Sequence, residues 1–147
     1  MERPSCKTYF AVLFDIDIEK NAHLIKEGAQ CLPQDIGIFN KDEVERFIVE
    51  RLDVVPKWDR HHFVIGYNEH YDVDVNKMIR VTLKGLFGKE RELKELCERF
   101  SVTLMLEIVP YIVANTDEPT QILSLYKDII ALLYNSGAEV DMDYYII

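Results

Sequence analysis

The closing stretch "GAEVDMDYYII" constrains the fold more than any other part of the chain. From Ala138 to Ile146 every second residue is apolar, and the carboxylates Glu139, Asp141 and Asp143 stand between them. Successive strand side chains point to opposite faces, so the alternation predicts a strand with one packed and one wet face. "TYFAVLFDI" behaves differently, with Phe10, Val12, Phe14 and Ile16 on one parity and Tyr9, Ala11 and Leu13 on the other. That pattern predicts a strand buried on both faces and central in its sheet. Together the two favour a two-layer α+β sandwich over a doubly wound sheet covered by helices on both sides.

Helical spacing fills the intervals. Ile18, Ala22, Ile25, Ala29 and Leu32 recur at helical intervals until Pro33. In "NKDEVERFIVERLDVVP", Asn40 can cap, Glu43 completes a capping box, and Val44, Phe47, Ile48 and Leu52 form a buried stripe. "WDRHHFVIGYN" reads as one strand. After it, Asp72 or Asp74 can start a helix that carries Val75, Met78, Ile79 and Leu86 inward, with Gly85 and Gly88 marking a break. A further helix runs through Leu93, Leu96, Cys97 and Phe100, and "VTLMLEIVPYIV" follows as a strand in which Pro110 marks a bulge or a place where pairing ends. Pro119 suits the first turn of a last helix with Ile122, Leu123, Tyr126, Ile129, Ile130 and Leu133 on its apolar face and Gly137 at its C-terminus. The expectation is a four-stranded sheet, mostly antiparallel or mixed, with strands starting near Thr8, His62, Val102 and Ala138 and helices packed mainly on one face.

At 147 residues the chain suits a single domain spanning 1–147, and a domain of that size buries roughly 70% of its unfolded surface. It needs neither metal nor disulfide to fold, and no internal repeat or linker-like segment divides it. Cys6, Cys31 and Cys97 form no CxxC motif and are read as reduced thiols. The early apolar run "TYFAVLF" is too short to cross a membrane and no signal-peptide cleavage pattern follows, so the expected location is cytoplasmic, without membrane association.

The net charge of −9 disfavours nucleic acid and favours a basic partner. From Pro110 onward Asp117, Glu118, Asp128, Glu139, Asp141 and Asp143 face one base, Lys127, so this end carries −5 of the total. Asp15 with Asp17, and Asp141 with Asp143, each place two carboxylates on one strand face about 7 Å apart. If the strands were neighbours, the four could converge on a hard cation such as Mg²⁺ or Ca²⁺. The same spacing is what any half-wet sheet shows, and that reading is preferred. His61 and His62 are adjacent and point to opposite sides of a strand, which disfavours a shared metal. No local context activates a thiol for nucleophilic attack, and "GLFG" lacks the Lys-Ser/Thr ending of a phosphate loop. Lys77, Arg80, Lys84 and Arg91 form a basic ridge opposite the apolar stripe, read as a solvated face. Trp58, Tyr144 and Tyr145 are the aromatic candidates for an interaction surface, with Trp58 the most core-like.

"KDEVERFIVERLDVVPKW", "DVNKMIRVTLKGLFGKERELKELCERFSVTLMLEIVPYI" and "EPTQILSLYKDIIALLYNSGAEVDMDYYI" resemble the bacterial family called domain of unknown function 4279 over most of residues 40–147. The carrying motifs are a helix leading to Leu-x-x-x-Pro before a Trp strand and an ending similar to Asp-x-Asp-x-Tyr. Relative to that pattern, residues 18–39 look like an insertion. The resemblance implies no catalytic residues. Through the association of some members with toxin–immunity loci, it implies an immunity-like binding role.

The function expected is therefore that of a non-catalytic protein-binding module, requiring no cofactor. It would dock a basic protein through Glu139, Asp141, Asp143 and Tyr145. The alternative is a metal-dependent enzyme or cation-binding module built on Asp15, Asp17, Asp141 and Asp143.

Overall fold

The computed structural model describes residues 5–14, 41–70, 74–112, 114 and 124–146. The elements among these are β1 (Ser5–Phe14), α1 (Lys41–Phe47), β2 (Lys57–Asp59), β3 (His62–His70), α2 (Val75–Leu83), α3 (Glu90–Phe100), β4 (Val102–Ile112), α4 (Lys127–Ser136), β5 (Glu139–Met142) and β6 (Tyr145–Ile146). The class is α+β. The mixed sheet runs β2-β3-β1-β4-β5, and β6 also pairs with β4. It is larger than the four strands expected, because two short strands, β2 and β6, add to the sheet.

β1 lies at the centre, antiparallel to β3 and β4. Register aligns Cys6, Thr8, Phe10, Val12 and Phe14 of β1 with Pro110, Ile108, Leu106, Leu104 and Val102 of β4, and all ten are buried. Phe63 pairs with Val12 and joins the same layer. The described helices close this layer, with α2 against β1 and β3, α3 against β4, and α4 against α3. Of the opposite parity of β1, Ala11 is buried while Lys7, Tyr9 and Leu13 are half-buried. The two-sided burial expected of this strand is thus uneven. One face meets helices, and the other is covered only by its own neighbours among the described residues.

Helix boundaries follow local chemistry. Asp74 caps α2, its carboxylate accepting from the backbone N–H of Asn76 at 3.1 Å and of Lys77 at 3.4 Å. Val75, Met78, Ile79 and Leu86 are buried as their spacing requires. Val44, Phe47, Ile48 and Leu52 are buried too, but Ile48–Leu52 winds as a π-helical turn continuing α1 and ends at Asp53 in the left-handed region. Asn40 lies outside the described residues. Gly137, at φ 76°, closes α4 and donates its N–H to the Leu133 and Tyr134 carbonyls.

Gly66 marks the closest approach of helix and sheet. A Cβ there would overlap the Thr82 carbonyl oxygen and stand 3.1 Å from its carbon, so α2 seats against β3 only because residue 66 has no side chain. Beside it, buried Thr8 and Thr82 hydroxyls bond at 2.5 Å, and Thr82 donates to the Met78 carbonyl at 3.0 Å. Packing and polar satisfaction thus fix α2 on β1 together.

Several expectations need correction. "WDRHHFVIGYN" is a hairpin, not one strand: Asp59 pairs with His62 across a two-residue turn in which Arg60 takes φ 55°. The last helix starts at Lys127 after non-helical residues 124–126; Tyr126, just before it, and Ile130 are exposed while Ile129, Leu132 and Leu133 are buried. Pro119, Ile122 and Leu123 lie outside the described residues, as does the 18–39 segment. The final strand packs less than its alternation implies. Val140 is 44% exposed, because β5 is a short edge strand with a neighbour on one side only.

Pro110 keeps β4 in register with β1, opposite Cys6. The edge pairing breaks beside it instead, β5 ending at Met142 opposite Ile108 and β6 resuming at Tyr145 opposite Tyr111. A residue with no N–H donor sits where the edge ladder has its gap.

Candidate functional site

The sheet face opposite the core layer gathers most of the polar residues of interest. β4 presents Glu107, Val109 and Tyr111 there, and β1 presents Lys7 and Tyr9. Parallel pairing of β5 with β4 puts Glu139 beside Met105 and Asp141 beside Glu107. β6 then places Tyr145 beside Tyr111, the two rings stacked at 5.4 Å and 17°. Glu139, Asp141, Asp143 and Tyr145 are all exposed, and Val140, Tyr144 and Ile146 of the other parity are exposed too.

Glu107 is the residue that sequence reading missed. It is half-buried, flanked in register by Tyr9 on β1 and Asp141 on β5. Burial first, then a hydrogen bond with Asp141 and the charges of Asp141 and Asp143, push its carboxyl up to about 7. Glu107 is therefore about half protonated near neutrality, its carboxyl hydrogen-bonded to Asp141. Its signal in the sequence was a lone acid inside "LMLEIV", where every neighbour is apolar.

Tyrosines frame this pair. The Tyr145 hydroxyl donates to Asp143 Oδ2 at 3.2 Å, and that bond raises its pKa. Tyr9 is raised mainly by burial and secondarily by the charge of Glu107. Its ring stacks on His62 at 6.4 Å, and burial lowers the pKa of that imidazole although Asp59 lies 3.9 Å away. The Lys7 ammonium stands 5.6 Å over the Tyr111 ring. The Tyr67 hydroxyl donates to Glu69 at 2.7 Å, which pushes its pKa up to about 12.

Chemically, a hydrogen-bonded carboxyl pair is an arrangement that acid–base catalysts use. Here it lies on an open strand surface. The 420 Å³ cleft on this face, lined by Lys7, Tyr9, Val55, Lys57, Asp59, Val64, Gly66 and Tyr67, lies beside the pair and not around it. Acids and tyrosine rings spread over a flat sheet suit the reception of cationic side chains, through charge and through the ring faces.

Asp15 and Asp17 lie outside the described residues; of the four-carboxylate set, the described members Asp141 and Asp143 lie on this face. Among the described residues no group of three or more metal-ligating side chains converges. His61 is in the hairpin turn and His62 on β3, so the two do not share one strand. The basic ridge is interrupted, because the Arg80 guanidinium donates to both Asp128 oxygens and lies 5.7 Å from the Tyr126 ring. Trp58 packs edge-on against Phe63 and Phe14, with the Lys41 ammonium 4.8 Å over its ring, and serves the core. Tyr144 is exposed. Burial pushes the Cys6 thiol up to about 11, which keeps it protonated and unreactive. No described helix is long and apolar enough to cross a membrane. Compared with known proteins, the chain matches no family model, no curated protein and no solved structure.

Proposed function

We propose that this chain is a non-catalytic protein-binding module that docks a basic partner through the C-terminal part of this sheet face. The observation that carries the reading is the spread of Glu107, Asp141, Asp143 and Glu139 along one sheet face beside the stacked Tyr111 and Tyr145. Aromatic rings anchor such interfaces, and the carboxylates around them select cationic side chains and speed encounter. The net charge of −9 extends that attraction beyond contact range. The resemblance to the 4279 family adds an immunity-like role, in which the basic partner would be a toxin, and the cytoplasm is the compartment this reading assumes.

The test is capture of basic proteins on the immobilised full chain, beside the Glu139→Lys, Asp141→Lys double variant. Both side chains are exposed, so the variant should fold. Loss of the captured protein from the variant, and its weakening as salt screens charges over about 8 Å, supports the reading. A partner retained equally by both forms at all salt concentrations overturns it.

A further inference from the structure

The β5 edge of the sheet offers backbone groups as well as side chains. The Asp143 N–H donates to the Ile108 carbonyl at 3.0 Å. Along an extended strand a residue's N–H and C=O point to one side and those of its neighbours to the other, so Asp141 and Asp143 turn their backbone groups to β4 while Val140 and Met142 turn theirs away from it. Among the described residues no strand lies on that outer side. The side chains divide by parity as well. Glu139 and Asp141 stand on the face opposite the core layer, in register with Met105 and Glu107, whereas Val140 and Met142 stand beside the buried Leu106 and Ile108 at the border of that layer. Val140 is exposed there, and Met142 packs against the core.

We infer that an extended segment of the basic partner, with lysine or arginine alternating with apolar residues, adds to the sheet as a strand beside β5. This rests on the docking reading and names the element of the partner that docks. Residues directly opposite on adjacent strands share a face, so the basic residues of the added strand meet Glu139 and Asp141 while its apolar residues meet Val140 and Met142 and lengthen the core layer. The outward N–H and C=O groups of Val140 and Met142 gain backbone partners at the same time. Charge decides the occupant. A second copy of this edge would set carboxylates against carboxylates, because Glu139, Asp141 and Asp143 fill one parity and no base stands among them. A neutral apolar strand would leave those acids without counter-charge. β5 is four residues long, so few backbone bonds are on offer and side-chain complementarity does the selecting.

The experiment titrates the full chain with the end-capped heptapeptide Lys-Val-Lys-Val-Lys-Val-Lys and, for comparison, with Lys-Lys-Val-Val-Val-Lys-Lys, which has the same composition and charge but no alternation. Binding is followed by amide-resolved NMR and by amide hydrogen exchange. The result expected is saturable shifts centred on residues 139–142, with exchange slowed at Val140 and Met142 and little changed at Asp141, which already faces β4. The rearranged peptide should bind about tenfold more weakly, since its charges and apolar groups cannot each meet their own parity. Methylating one alternate set of peptide nitrogens in the first peptide should weaken it by a similar factor and methylating the other set should not, because only one set faces β5. Equal affinity for the two sequences, or binding that leaves exchange at Val140 and Met142 unchanged, overturns strand addition and leaves docking by charge standing. Absence of saturable shifts at millimolar peptide overturns it too. Failure of the docking reading itself shows elsewhere, in a captured partner indifferent to the Glu139→Lys, Asp141→Lys variant.

Discussion

Replacing Gly66 by alanine asks how much of the fold rests on the approach of α2 to β3. The added methyl would overlap the Thr82 carbonyl oxygen, lie 3.1 Å from the carbonyl carbon and 3.4 Å from Cγ2 of the same residue. The obstructing atoms are helix backbone, so no rotamer change relieves the clash. The helix must move, and with it the Thr82 hydroxyl that bonds to Thr8 and Met78. Overpacking costs about 1–3 kcal/mol when side chains can adjust, and a backbone obstacle puts this site at the upper end, about 3 kcal/mol. With a urea slope of about 2 kcal/mol/M, the unfolding midpoint should fall by about 1.5 M. Gly85→Ala is the control, since its nearest atom would be Val54 Cγ2 at 3.9 Å. That variant should stay within about 1 kcal/mol of the parent. Equal midpoints for the two alanine variants would refute the close-approach argument.

Further outcomes can be measured on the same material. Thr82→Val should cost about 1–2 kcal/mol, and combining it with Thr8→Val should be less than additive by about 1 kcal/mol, because the hydroxyls bond to each other; strict additivity would show that they act separately. Folding raises the Glu107 carboxyl from its ordinary 4.5 to about 7, so the folded chain binds a proton there that the unfolded chain has released. Its contribution is complete below 4.5 and is lost as pH rises to about 7. Glu107→Gln should therefore gain stability relative to the parent between pH 5 and 8, read as a Tm difference that widens with pH; a constant difference would sink the assignment. Chelation by EDTA should leave Tm unchanged, and a fall of several degrees restored by Mg²⁺ or Ca²⁺ would revive the cation-binding alternative.

Local pattern made much of the architecture legible. β1 is central because both of its parities are apolar, and Asp74 and Gly137 end their helices as their side-chain chemistry requires. The β2–β3 hairpin was hidden because its turn is Arg60–His61, with none of the Asn-Gly or Asp-Gly signals that mark two-residue turns. The π-helical turn was hidden for another reason: buried positions 44, 47, 48 and 52 satisfy α-helical spacing equally well. At the last helix, Pro119 suggested a start that the Lys127 boundary does not follow. Neither β6 nor the parallel pairing of β5 could be read, since both depend on how the chain returns to β4.

For the candidate site, alternation was enough to place Glu139, Asp141, Asp143 and Tyr145 on one parity, but not to foresee that Val140, Tyr144 and Ile146 are exposed as well. It could not show that Asp141 lies opposite Glu107, because inter-strand register is a tertiary fact. That pairing runs against the usual preference: like charges directly opposite on neighbouring strands cost up to about 1 kcal/mol, and partial protonation of Glu107 only lessens the repulsion. Nearby, Pro110 sits inside a strand, and the edge that follows exposes Val140, Tyr144 and Ile146. Edge strands ordinarily guard themselves by shortness, charge or a covering element, and among the described residues no element covers these three side chains. Departures from local rules concentrated along one sheet edge mark a place whose stability has yielded to another requirement. A cationic group laid between Glu107 and Asp141 would remove the repulsion, which is the contribution the proposed basic partner is expected to make, whereas Val140 and Ile146 stand on the opposite parity, beside Leu106 and Ile112 in register.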